Sequence, residues 1–334
     1  MPPRPFDAVL LVAFGGPQGP ADVRPFLENV LRGRRVSPER IDEVAHHYGH
    51  FGGVSPLTEL TMSQARALEA ALEVRNIPLP VDVGMRNWHP YLVDTLTTMS
   101  KRGVRRAIGI LAAAQRTYSG CLQYKENVRD ARAALVKTGA HDVDIVYVGD
   151  WHAHPGFIDA NVDHVRQAFA RLPADKREGA RLVFTAHSIP VAMAQAYPYE
   201  KQLLESAQAI ADQVVGDDEH ESMREIDWSL VYQSRSGRPG DPWLEPDVSD
   251  YLRAERDKGL DAAVLCPVGF LCDHVEVLYD LDVEAAHVCR ESGIAMERAS
   301  AVNTHPRFID ALADAVTDIW RRYEGKRPIG TARL

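Results

Sequence analysis

Cysteine is scarce in this chain. Four occur in 334 residues, at Cys121, Cys266, Cys272 and Cys289, with neither a CxxC pair nor a zinc-finger spacing among them. A disulfide framework is therefore excluded, and reduced thiols in the cytoplasm are the plain expectation. No apolar run approaches the ~18–20 residues of a spanning helix, so no stable membrane insertion is expected. Residues 1–7 lead at once into a short strand, without the pattern of a secretory leader. A basic stripe is missing too: the net charge is −9, and the arginine clusters at 32–35 and 102–106 are interrupted. Nucleic acid is set aside as a partner on that ground. Ala13-Phe14-Gly15-Gly16-Pro17 has the spacing of neither phosphate loop, and Ser188 lies outside any G-x-S-x-G elbow. Nucleotide binding and serine hydrolysis are disfavoured accordingly.

Strand and helix, by contrast, alternate along the whole chain. The apolar run at 8–14, broken by glycines, predicts a strand buried on both faces of a parallel sheet. Helical spacing at 22–31, 38–48 and 58–75 is followed by strands at 81–85, 107–113 and 143–148, with helices at 91–102 and 124–135 between them. After a candidate linker near 149–155 the pattern restarts. Helices are expected at 155–172, 199–215, 248–258, 283–292 and 308–323, and strands at 181–185, 228–233 and 262–268. AVLLVAFGGP and RLVFTAHSIP hold equivalent places in the two runs, a hint of duplication. The expected fold class is α/β, with two similar domains of parallel sheet (1–150 and 151–303) and a cleft between them. Helix 304–325 is expected to pack back on the first domain.

Chemistry concentrates at the ends of strands in the second run. His187 follows the strand RLVFTA directly, where an α/β fold opens its ligand crevice, and a neutral imidazole there accepts a proton or binds a metal. A loop histidine bonded to backbone is the plainer alternative. The stretch 264–284 passes from a buried strand into a segment with acids at Glu276, Asp280 and Glu284. Residues four apart share a helical face, so the carboxylates form a row, which needs a cation, a proton or water to offset its repulsion. Val275, Val277, Leu278 and Leu281 hold that row against the protein body. A solvated acidic face is the competing reading. His187 and Glu276 follow strands of one sheet and can face each other, as a metal site or a proton path. His46 and His50 have i,i+4 spacing, but Gly49 interrupts the helix between them.

Taken together, LVFTAHSIP, the stretch 231–248 (VYQSRSGRPGDPWLEPDV) and 266–282 (CPVGFLCDHVEVLYDLD) resemble the ferrochelatase family. So do, in the same order, LLVAFGGP, LRGRR at 31–35 and HYGHFGGVSPL at 47–57. The resemblance runs from Val9 to about Tyr323 and is closest to the soluble enzymes of Gram-positive bacteria. It implies two Rossmann-like domains gripping a porphyrin and insertion of Fe2+, the metal being substrate. The substrate implied is coproporphyrin III, the product coproheme in haem biosynthesis. Protoporphyrin IX, or a porphyrin or haem carrier that inserts nothing, are the alternatives. The family's catalytic histidine falls on His187 and its glutamate on Glu276. Metal-handling acids fall on Asp280 and Glu284, on a helix that has a π turn in relatives.

Ser55 and Tyr124 match propionate-binding positions, and Tyr48 and Arg32 lie in matching loops. Ser55 reads equally as a helix cap. Phe14 stands where many relatives carry the tyrosine that ligates product iron, and Leu31 and His47 stand where some carry arginines. Some relatives hold a [2Fe-2S] cluster through cysteines near the C-terminus. This sequence has none after Cys289, so no cluster is expected. A monomer, with transient contact to a later haem-synthesis enzyme, completes the expectation.

Overall fold

The apolar run after Asp7 forms strand β1 (Ala8–Ala13), every residue of which is buried. In the computed structural model, which describes residues 4–33, 38–216, 226–237 and 240–324, β1 is flanked on both sides. Its partners are β2 (Val81–Met85) and β3 (Arg106–Leu111), with β4 (Asp144–Tyr147) beyond β3. All pairings are parallel, so the order is β2-β1-β3-β4. Interior parallel strands need apolar side chains on both faces, and each fully buried leucine or valine contributes about 1.5–3 kcal/mol.

The second sheet repeats the plan with β5 (Arg181–His187), β6 (Trp228–Gln233), β7 (Ala262–Cys266) and β8 (Ala295–Arg298), in the order β6-β5-β7-β8. Strand β8 was not expected. AMER is short, half-buried and polar at one end, the signature of a sheet edge rather than a core strand.

Helices cover both sheets. In the first run they are α1 (Pro20–Val30), α2 (Pro38–Gly49), α3 (Leu57–Val74), α4 (Leu92–Lys101) and α5 (Gln123–Lys137). In the second they are α6 (Pro155–Arg171), α7 (Val191–Ala196), α8 (Tyr199–Gly216), α9 (Val248–Arg256), α10 (Val275–Val277), α11 (Ala286–Ser292) and α12 (Pro306–Tyr323). A π-helical segment follows the third strand of each sheet: Tyr118–Leu122 leads into α5, and Leu278–Ala285 joins α10 to α11. Helix α12 packs on both α3 and α6. One hydrophobic core joins the halves: Leu68 and Leu72 of α3, Phe157 and Val165 of α6, Leu182 of β5 and Phe308 of α12 all belong to it.

Candidate functional site

Strand β5 delivers His187 to its carboxyl end, and the neighbouring β7 exits through the loop that starts α10. Gly269 lets these two exits approach. A Cβ there would lie 2.6 Å from the Cβ of Ala186 and 2.8 Å from its Cα, so only glycine fits. The Gly269 N–H donates to the Thr185 carbonyl at 3.1 Å. This contact brings His187 Nε2 to 3.8 Å from Glu276 Oε2. His187 Nδ1 lies against the Ser188 carbonyl. With Nδ1 donating there, Nε2 carries the free lone pair and faces Glu276. Both side chains stay open to a ligand, at 34% and 44% exposure.

The acid row runs on from this pair along the π segment. Such a segment bonds i to i+5 and widens the turn. Asp280, half-buried on it, is held through one oxygen: Gln233 Nε2 donates to Oδ2 at 3.2 Å, and the Ser234 hydroxyl donates to the same atom. Ser234 sits in the left-handed region at φ 59, a backbone cost that points its hydroxyl at the row. Burial pushes the Asp280 carboxyl up to about 7 against its hydrogen bond from Ser234, with the Glu276 and Glu284 charges adding to the rise. Glu284, at the exposed outer end, is raised by partial burial and by Asp247.

A residue outside the sequence-based set joins this group. His274 caps α10, its Nδ1 accepting from the Glu276 N–H at 3.2 Å. Burial holds its pKa below the ordinary value, against the pull of Glu276, so its neutral form starts the helix that carries the glutamate. In sequence His274 stands with Cys266, Cys272 and Glu276 like the parts of a zinc deaminase, but their order and spacing do not fit that signature.

The opposite wall comes from the first half. Tyr48 is buried with Val23, Phe26 and Leu27, and Val275 of the second half packs into the same cluster. Phe14, half-buried, meets Phe26 edge-on at 6.2 Å. The Arg86 guanidinium lies 5.6 Å from the Phe14 ring centre and 5.0 Å from that of Tyr124. Burial pushes the Tyr124 phenol up to about 12; Arg86 opposes that rise and Glu276 adds to it. Tyr48 is raised by burial, then by Glu276. Tyr48 shares its cluster with Val275, the residue before Glu276, and the Glu276 charge raises both tyrosines.

The remaining predicted residues are less central. His47 stacks on Tyr279 with centroids 3.8 Å apart, and burial lowers its pKa. That neutral ring props α2 on the π segment and supplies no fixed charge. Arg32 is exposed and bonds Asn29. Arg34 and Arg35 lie outside the described residues. Ser55 is buried at 3% exposure, its hydroxyl accepting from the Leu57 N–H at 3.4 Å, which is the local role a helix-start serine plays. No group of three or more His, Cys, Asp or Glu among the described residues has the geometry of a closed metal cage.

Two parallel four-stranded sheets of the same order, each covered by helices, define an α/β protein of the chelatase fold. The fold is shared with SirB of Bacillus subtilis solved with Fe3+ (TM-score 0.56, 11% identity, 96% of this chain and 98% of that one). It is shared also with CbiX, described as the terminal enzyme of siroheme biosynthesis in denitrifying bacteria (TM-score 0.51, 12% identity, 93% and 98%). The ferrochelatase family model matches residues 6–319. A ferrochelatase of Rhodopirellula baltica is 47% identical over 98% of this chain and 90% of its own. Coproporphyrin III ferrochelatases of Streptomyces coelicolor and Mycolicibacterium smegmatis are each 44% identical, over 94% and 97% of this chain and 85% and 94% of theirs. The chain belongs to the ferrochelatase family, and is an enzyme that inserts iron into a porphyrin.

Proposed function

We propose that the porphyrin is coproporphyrin III and the product coproheme. The observation that carries the reaction is the His187–Glu276 pair, 3.8 Å apart at the head of the acid row. The substrate reading rests on the names of the actinobacterial relatives at 44% identity. It is supported by a crevice wall in which Arg86 stands over Phe14 and Tyr124, a cation suited to a substrate rich in carboxylates.

In this reading His187 Nε2 accepts a pyrrole proton, and Glu276 stabilises the imidazolium that forms. Asp280 and Glu284 lead Fe2+ inward or protons outward. Binding a bent macrocycle better than a flat one lowers the barrier, because the transition state is bent too. Iron is the substrate in this reading, and no [2Fe-2S] cluster is part of it. Among the described residues no helix is long and apolar enough to cross a membrane. A cytoplasmic monomer that hands its product to a later enzyme completes the proposal.

The test is an anaerobic assay with Fe2+ and either coproporphyrin III or protoporphyrin IX, followed by loss of porphyrin fluorescence. Many turnovers favouring coproporphyrin III are expected. Turnover with protoporphyrin IX alone would refute the substrate, and stoichiometric quenching without metalloporphyrin would refute insertion.

A further inference from the structure

The loop that carries His274 and Glu276 is not held by its own half alone. Two buried glutamines of the first half reach across to it. Gln64 of α3 is 2% exposed; its amide nitrogen donates to the Asn303 carbonyl at 2.7 Å and the Leu271 carbonyl at 3.3 Å, and lies 3.3 Å from Cys272 Sγ. Gln115, between β3 and the first π segment, is 4% exposed and donates to the Val268 carbonyl at 3.3 Å. Asn303 closes the arrangement from the other side. Its side chain exchanges hydrogen bonds with Asp273, accepting from the N–H at 2.9 Å and donating to Oδ2 at 2.7 Å. It does so from a left-handed backbone, at φ 42. Asp273 also accepts from Arg298 at 2.7 Å.

On α3, Gln64 occupies the stripe that Leu68 and Leu72 otherwise fill. An amide there has no packing advantage over leucine, and burying it costs free energy unless its donors are used. Here they are used on the Asn303 carbonyl and on the Leu271 carbonyl ahead of Glu276. The same helix begins two residues after Ser55, and Gln115 precedes the π segment that leads to Tyr124. The two amides therefore connect the aromatic wall of one half to the carboxylate loop of the other.

We propose that Gln64, assisted by Gln115, is a positioning residue for iron insertion: it fixes the distance between the porphyrin wall and Glu276. This rests on the assignment of Glu276 to the reaction. The test uses the full chain with Gln64→Met, which keeps length and packing but loses the donors, and with Gln115→Met, which removes the second bond across the halves and leaves Gln64 in place. Initial rates with Fe2+ and coproporphyrin III varied separately, the Kd for metal-free porphyrin, and Tm are measured for each, alone and combined with Glu276→Gln.

Misplacing a reacting group by about 1 Å costs up to about 100-fold. We therefore expect kcat/KM for Fe2+ to fall about 10-fold or more in Gln64→Met, with the porphyrin Kd within about twofold. The loss should disappear in the Glu276→Gln background, because residues acting through one group are not additive. A lowered Tm with unchanged kcat/KM, or a loss that multiplies with that of Glu276→Gln, would overturn the proposal. If Gln64→Met does not fold, Gln115→Met decides by the same criteria. Glu276→Gln with wild-type rates would remove the assignment beneath it, a result distinct from failure of the latch.

Discussion

The two halves are built to one plan and furnished with opposite chemistry. Each has its first strand inside a sheet of the same order, and each places a π segment after its third strand. In register, AVLLVAFGGP of the first half matches RLVFTAHSIP of the second, so Phe14 stands where His187 stands. Beyond the second strand the first half offers Arg86, and the second offers Gln233 and Ser234, which hold an acid. The π segment of the first half is uncharged, Tyr118 to Leu122; that of the second carries Asp280 and Glu284. One backbone thus supplies an aromatic face that carries a guanidinium and a second face that carries a histidine and carboxylates. The difference lies in side chains at a few strand exits, not in the fold.

The sharpest way to break this comparison is to give the second half the residue of the first. His187→Phe removes the imidazole that faces Glu276, and kcat should fall by about 10²–10⁴-fold in the anaerobic assay. A variant within a few-fold of wild type would end the assignment. Next in size is Glu276→Gln, for which we expect about a 10–100-fold loss in kcat/KM for Fe2+ with porphyrin affinity little changed. Equal losses toward both substrates would show that the glutamate merely supports the fold.

Asp280 adds a pH test. Its carboxyl is raised to about 7, so the row gains a charge as pH rises through that value. KM for Fe2+ should fall between pH 6 and 8, and Asp280→Asn should flatten the profile. The stability sign is opposite. A carboxyl raised in the folded state binds more protons there than when unfolded, so its effect on stability worsens as pH rises from about 4 to about 7. Asp280→Asn should accordingly raise Tm at pH 8 by about 2–4 °C per kcal/mol recovered, and by less at pH 5.

The smallest effect is expected at Ser55. Its hydroxyl is spent on a long local bond to Leu57, so Ser55→Ala should cost less than about 1 kcal/mol in urea unfolding. A porphyrin KM shifted tenfold would instead place Ser55 on the substrate.

Much of this was legible because it is carried by unbroken patterns. Buried parallel strands read as apolar runs, and β1, β5 and β7 stand where such runs were found. His187 and Glu276 were visible because each follows such a run. Pattern fails where partners are distant in sequence. Gln64 meets Asn303 across 239 residues, and nothing local distinguishes a clamping glutamine from a misplaced polar residue on a helix stripe. His274 escaped for a different reason: a histidine capping through Nδ1 has the same spelling as a ligand or a surface residue. The stacking of His47 on Tyr279 likewise depends on α2 folding back over the π segment, which no periodicity announces.

The shared core has a consequence for how the crevice is made. Leu68 and Leu72, Phe157 and Val165, and Phe308 belong to one apolar body, and α12 lies across α3 and α6 together. Separating the halves would expose that interior to water, at a cost comparable to unfolding either of them. The gap between the aromatic and the acidic faces is therefore set when the chain folds, as the spacing of a gauge is set when it is cast. Heat should melt the molecule in a single cooperative step, and a protease should find no intact half to release. At the rim of that gap α2 is held by the stack of His47 on Tyr279 and by Tyr48 packed against Val275, so both contacts lie at the way in for a large substrate.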